Sequence, residues 1–160
     1  GGAAATFAML MVIQIHPALL ISQNTLEREA IFRGVDQTAT KDSSCGLIEG
    51  GDWIVADEFL IQIPICSSSG KNKSLDNGGE VTIGDRFSIY VLPTISSRLT
   101  IDYEGQDGKK TAIIKKTVLK RGEILSLEDV GEFMGPSGEE KFNFSTDNGF
   151  EFSVKLLISR

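Results

Sequence analysis

At 160 residues the chain has room for one domain, or for one domain with an appended arm, and a hydrophobic content of 41% suffices for a core. Sixteen basic against 22 acidic residues give a net charge of −6, which leaves no basic footprint for phosphate backbones, so nucleic acid is not an expected partner. Seventeen glycines beside a single tryptophan point to turns and strands, a mainly β class.

The chain opens on an apolar run from Ala3 to Ile21, interrupted only by Thr6, Gln14, His16 and Pro17. As a helix this run would be about 28 Å long, close to the ~30 Å of a bilayer core. "NTLEREAIFRG" follows, where Asn24 and Glu27 have capping-box spacing and Gly34 closes a short amphipathic helix. These residues, 1–34, form the expected N-terminal assembly segment, and 35–160 the expected β domain. From Val35 to Gly51 the text is polar and reads as a loop.

Beyond it, short alternating or β-branched runs predict strands at 59–66, 86–92, 98–104, 109–116, 123–127, 140–146 and 150–159. Phe87, Ile89 and Val91 share one face, as do Phe142 and Phe144; with Phe152 they are the expected core. Turn chemistries separate the runs at "DNGG" (76–79), "GQDG" (105–108), "GPSG" (135–138) and "DNG" (147–149), the second and last fit for hairpins. The "SSSGKNKSLDNGG" stretch at 67–79 reads as an exposed loop. The sum is an antiparallel β-sandwich or small barrel behind an apolar, helical arm.

From Gly84 to Thr146 the text carries "IGDRFSIYV", "LTIDYEGQDGKK", "LKRGEILSL" and "GEFMGPSGEEKFNF". This resembles a small β domain family of unknown function found in exported bacterial proteins, often fused behind caspase-like peptidases. Asp85, Tyr103, Gly108, Lys109, Gly122, Leu127, Gly138, Glu140 and Lys141 fall in the family's order. Ser137 replaces a turn proline, and "AIIKKTVLKRG" stands where the family has a hairpin leading to "FPN". The resemblance implies a β domain and export, not a chemistry.

Cys45 and Cys66 enclose twenty residues. Two buried thiols would fit the spacing; in an exported, turn-rich domain a disulfide is the expected outcome, stabilising by roughly 3 kcal/mol. Two thiolates without a nearby histidine leave a zinc site half-built, so no metal is expected.

The only histidine, His16, lies in the apolar run, so neither a Ser-His-Asp nor a Cys-His system can be assembled, and a packing role is expected for it. The carboxylate pairs Glu27/Glu29, Asp57/Glu58, Glu128/Asp129 and Glu139/Glu140 read as solvated faces. Asp102, Glu104, Gln106 and Asp107 depart from a calcium loop and suit a hairpin turn. No nucleotide-binding glycine motif occurs. No catalytic residue, cofactor or enzymatic activity is therefore expected. Asn72 and Asn143 head N-x-[ST] sequons, and Asn72 in the polar loop is the candidate glycosylation site.

Four readings of residues 3–22 compete: a secretory signal, a membrane anchor, a core element, and an assembly arm buried in other copies. An apolar segment, an amphipathic continuation and a β domain resemble the plan of type IV pilin-like filament subunits. Ala5 stands where the bacterial subunits carry a glutamate, so the archaeal members are the nearer comparison. A donated β-strand is the rival geometry, since Phe7, Met9, Met11, Ile13 and Ile15 alternate with smaller or polar positions. The expected assembly interface is Phe7, Met9, Leu10, Met11, Val12, Ile13, Ile15, Leu19 and Leu20. The expectation is a structural subunit of an extracellular, cell-surface homopolymer, with membrane contact before assembly. The alternative is a monomeric envelope accessory or binding domain anchored by the same segment.

Overall fold

The computed structural model describes residues 19–21 and 45–160. Two sheets pack face to face, and no strand pairing joins them among the described residues, so the architecture is a sandwich and not a closed barrel.

The first sheet holds β1 (Leu19–Ile21), β2 (Ile54–Val55), β3 (Phe59–Gln62), β4 (Pro64–Cys66), β5 (Asn72–Ser74), β7 (Arg86–Pro93) and β10 (Leu125–Phe133). Its order is β1-β10-β7-β3-β2; β4 continues the line of β3 along β7 and pairs β5. The second sheet, in the order β6-β12-β11-β8-β9, holds β6 (Gly79–Thr82), β8 (Ser97–Glu104), β9 (Lys110–Leu119), β11 (Gly138–Thr146) and β12 (Glu151–Ser159). All pairings are antiparallel except β6 with β12, which is parallel and departs from the antiparallel expectation.

Strict alternation makes the core. On β8, Leu99, Ile101 and Tyr103 point inward, and on β11 Phe142 and Phe144 do the same. Phe87 of β7 meets Phe142 across the sandwich with ring centroids 5.1 Å apart, and Tyr103 meets Phe142 at 4.9 Å. Phe133 stacks on Phe87 at 4.9 Å. Phe59 faces Phe144 and Phe150 at the other side of the core. Such edge-on and offset pairs add to burial itself.

Strands are present in all seven expected runs, but the one expected at 59–66 is divided at Ile63 into β3 and β4. The expected loop at 67–79 is corrected in part: Asn72–Ser74 pairs with β4, Leu75 is buried, and β6 begins at Gly79. The strand expected at 123–127 runs on to Phe133 across an irregularity between Leu127 and Gly131, where Asp129 takes a positive φ of 50°. β10 advances four positions there against two on β7, and Val130 and Phe133 are both buried in the core. "GQDG" and "DNG" close the β8–β9 and β11–β12 hairpins.

Leu19–Ile21 is a strand where a helix is expected. It pairs antiparallel with β10 in the register Leu19↔Phe133, Leu20↔Glu132 and Ile21↔Gly131. The other interface residues, Phe7, Met9, Leu10, Met11, Val12, Ile13 and Ile15, lie outside the described residues, as do His16 and the helix expected at 24–34.

Cys45 and Cys66 form the expected disulfide, with Cα atoms 5.7 Å apart. It fastens the start of the described domain to the end of β4.

Candidate functional site

The richest concentration of polar side chains lies on β8 and β11, at one end of the second sheet and over its outer face. Alternation sends Asp102 and Glu104 of β8 and Lys141 and Asn143 of β11 outward, and the register sets Asn143 opposite Asp102 and Lys141 opposite Glu104. Asn143 Nδ2 donates to Asp102 Oδ1 at 3.1 Å and to Glu104 Oε1 at 2.9 Å. Its Oδ1 accepts from Ser153 Oγ of β12 at 2.7 Å. Lys141 Nζ stands 3.8 Å from Glu104 Oε1. A shallow cleft over this ladder is bounded by Lys110, Glu151 and Phe152.

A second cleft shares Glu104 and Lys141 and reaches Gln106, Glu139 and Glu140. Glu140 belongs to the inward series of β11 and is only 2% exposed. The Tyr103 hydroxyl donates to Glu140 Oε1. Gln106 Nε2 reaches Glu140 Oε2 at 3.2 Å and the Pro136 carbonyl at 2.9 Å, tying the β8–β9 hairpin to the turn that carries the chain between sheets. Burial raises the Tyr103 phenol well above its ordinary value, and the Glu140 hydrogen bond and charge push it further, so it stays a donor.

A similar pairing braces the first sheet. Tyr90 Oη donates to Glu128 Oε2 at 2.7 Å, and Arg86 holds Asp129 at 2.7 Å. Burial, followed by the Glu128 hydrogen bond, raises the Tyr90 phenol as well.

The carboxylate pairs therefore divide. Glu139 is exposed as expected, whereas Glu140 is a buried acceptor, a correction to the solvated reading. Glu58 accepts from Thr146 Oγ1 at 3.0 Å and Asn148 Nδ2 at 3.3 Å, pinning the β11–β12 hairpin to the β2–β3 turn. Tyrosine partners decide the roles of Glu140 and Glu128, Arg86 that of Asp129, and Thr146 with Asn148 that of Glu58; pairing across strands is invisible in a linear text. Asp102, Glu104 and Gln106 do not converge on a cation: the first two face outward and Gln106 turns to Glu140. Asn72 is exposed on β5. Asn143 already gives its amide hydrogens to two carboxylates.

The residues that carry the family resemblance serve architecture. Asp85 Oδ2 accepts the Thr82 amide at 2.9 Å, Leu127 is buried, and Gly108 and Gly122 take positive φ in turns. What the whole arrangement offers chemically is a hydrogen-bonded polar surface over a sheet, with Asp102, Glu104 and Glu140 engaged by amides, a hydroxyl and lysine and with Glu139 and Glu151 exposed at the cleft margins. No protein-family model matches the chain, and no curated protein matches its sequence.

Proposed function

We propose that the chain is a structural, non-enzymatic subunit of an extracellular homopolymer, joined to its neighbours through the apolar N-terminal segment acting as an added strand. The observation that carries this reading is β1: three residues from that segment add to the β10 edge, far in sequence from the rest of the sheet. Backbone pairing at an open edge is indifferent to which copy supplies the strand.

Residues 22–44 separate β1 from the disulfide-fastened domain, and a connection of twenty-three residues reaches at most about 80 Å. The strand offered to β10 can thus come from a neighbour. Each copy donates one strand and receives one at β10, so exchange runs head-to-tail into a filament where the rotation between copies does not close, and into a ring or swapped dimer where it does. The large apolar residues from Phe7 to Ile15 need cover, since each left in water forfeits about 1.5–3 kcal/mol against a total stability of about 5–15. The disulfide fits an oxidising compartment. A strand at Leu19–Ile21 favours the donated-strand geometry over the helical pilin-like plan.

The second reading is an accessory envelope module whose segment stays on its own β10; it is favoured by β1 closing that edge within a single chain. Electron microscopy and light scattering of the full chain separate the two. Filaments support the polymer, and a monodisperse monomer supports the accessory module. Deleting residues 1–22 should leave a folded monomer with unchanged β-sheet circular dichroism, and a synthetic peptide of residues 3–22 should bind it one to one. If the truncated chain unfolds, the segment belongs to the domain's own core and the polymer reading fails.

A further inference from the structure

The expected partners leave one feature unused, the charge of β9, a local basic stripe that corrects the absence of a basic footprint expected from the net charge of −6. Lys109, Lys110, Lys115, Lys116, Lys120 and Arg121 place six of the sixteen basic residues in thirteen positions without one acid. The rest of the chain holds ten basic against 22 acidic residues, so the molecule is strongly polarised. All six are exposed, and none forms an ion pair among the described residues. β9 ends the second sheet, which spreads these cations along about 30 Å of open edge.

The same edge carries apolar side chains at one corner. Val118 is 55% exposed, Ile124 45% and Ile95 40%. Val118 pairs with Arg98, and the Arg121 amide donates to Ser96 Oγ at 3.2 Å, which sets the 94–96 and 120–124 loops side by side. Exposed aliphatic tips beside Lys120, Arg121 and Arg98 are thereby gathered at one corner.

We infer that the β9 edge and its Ile95/Val118/Ile124 corner dock on an anionic lipid surface. Cations along an edge are drawn to an anionic leaflet, and aliphatic tips enter the headgroup boundary. Four acids lie close by: Glu104, opposite Lys110 and engaged by Asn143; Asp107, whose Oδ1 accepts the Lys109 amide at 3.0 Å; Asp147, whose Oδ1 accepts the Arg98 amide at 3.0 Å; and Glu123, beyond Arg121. They leave the stripe positive. Lysines on an edge strand also discourage strand addition; Lys116, at a positive φ of 46° beside a register shift, interrupts a regular ladder there. That irregularity speaks against an acidic peptide strand as the occupant. The inference is independent of whether the chain polymerises.

Vesicle co-sedimentation of the full chain tests it, with phosphatidylcholine alone and with phosphatidylcholine plus phosphatidylglycerol. Binding to the neutral vesicles measures insertion of the apolar N-terminal segment and is the baseline. The anionic vesicles should bind about tenfold or more of the chain above it, less at high salt. Lys115→Glu, Lys116→Glu, Lys120→Glu and Arg121→Glu together should return binding to that baseline with unchanged circular dichroism. Val118→Ser with Ile124→Ser should weaken the part that persists in salt. Should the variant fail to fold, the corresponding glutamine variant replaces it, with the same expected loss. Equal binding to both vesicle types, or anionic binding unchanged by removing the charges, overturns the inference. So does a charge variant that loses affinity for an acidic protein while the wild type ignores both vesicles.

Discussion

Gly138 shows how little of the polar end was open to choice. Its φ of 151° lies where side chains are disfavoured, and a Cβ there would collide with the Gln106 carboxamide. Gly138→Ala should therefore cost about 1–2 kcal/mol in urea unfolding. Gln106→Ala in the same chain should recover part of that loss, because the obstructing group is gone, and strict additivity would show that the contact does not matter. The two buried tyrosines set a pH limit. Their phenols are raised above the ordinary value of 10 in the folded state, so protons leave the unfolded chain first. Stability is then fully present below pH 10 and falls as pH rises above it, by about 1.4 kcal/mol per pH unit for each tyrosine. Tyr103→Phe should flatten that slope by roughly half and lower stability at neutral pH by about 1.5–3 kcal/mol, the worth of a hydrogen bond to a carboxylate. An alkaline slope equal in wild type and variant would place the titration elsewhere.

At the scale of elements, β10 and its neighbours separate what the sequence made legible from what it did not. Gly138–Thr146 alternates with a clean period of two, and Arg86–Pro93, although buried on both faces from Phe87 to Val91, keeps Phe87, Ile89 and Val91 on one face, so both are legible in the sequence. β2, β5 and β6 are two to four residues long, and too short for a pattern to register. The strand expected at 123–127 stops at Leu127 because Glu128 and Asp129 look like a solvated face; they are instead the bulge, with Tyr90 and Arg86 as partners from β7. The polar ladder of Asp102, Glu104 and Asn143 was equally hidden, since it exists only once β8 and β11 are in register. Ser88 is the hinge pin of this region. Fully buried, it donates to the Cys45 carbonyl and accepts the Asp129 amide at 2.8 Å. Ser88→Ala leaves both backbone groups short of that partner and should cost about 1–3 kcal/mol, read as a lower urea midpoint. A change within about 0.5 kcal/mol would mean that water replaces the hydroxyl.

Across the whole molecule, the disulfide decides how the N-terminal segment is tied to the sandwich. The chain arriving from residue 44 meets Cys45, which is bonded to Cys66 at the end of β4, and β4 pairs Ile65 with Phe87 and Cys66 with Arg86 of the central strand β7. Ser88 holds the Cys45 carbonyl against the same strand. A pull on the N-terminal segment is thus delivered to the middle of the first sheet instead of peeling residues 46–58 from its edge. The bond also closes a loop of about twenty residues, which in the chain-entropy model removes roughly 3 kcal/mol of freedom from the unfolded state. Cys45→Ala with Cys66→Ala should therefore fold to the same sheets and unfold with a midpoint lowered by that amount. Proteolysis should find the 46–58 stretch first in the variant, because β2 is only two residues long and pairs with β3 alone. Equal midpoints and equal cleavage patterns would show that β3 and β4 hold the segment without the covalent tie. The staple would then have no mechanical part in transmitting load from the N-terminal segment.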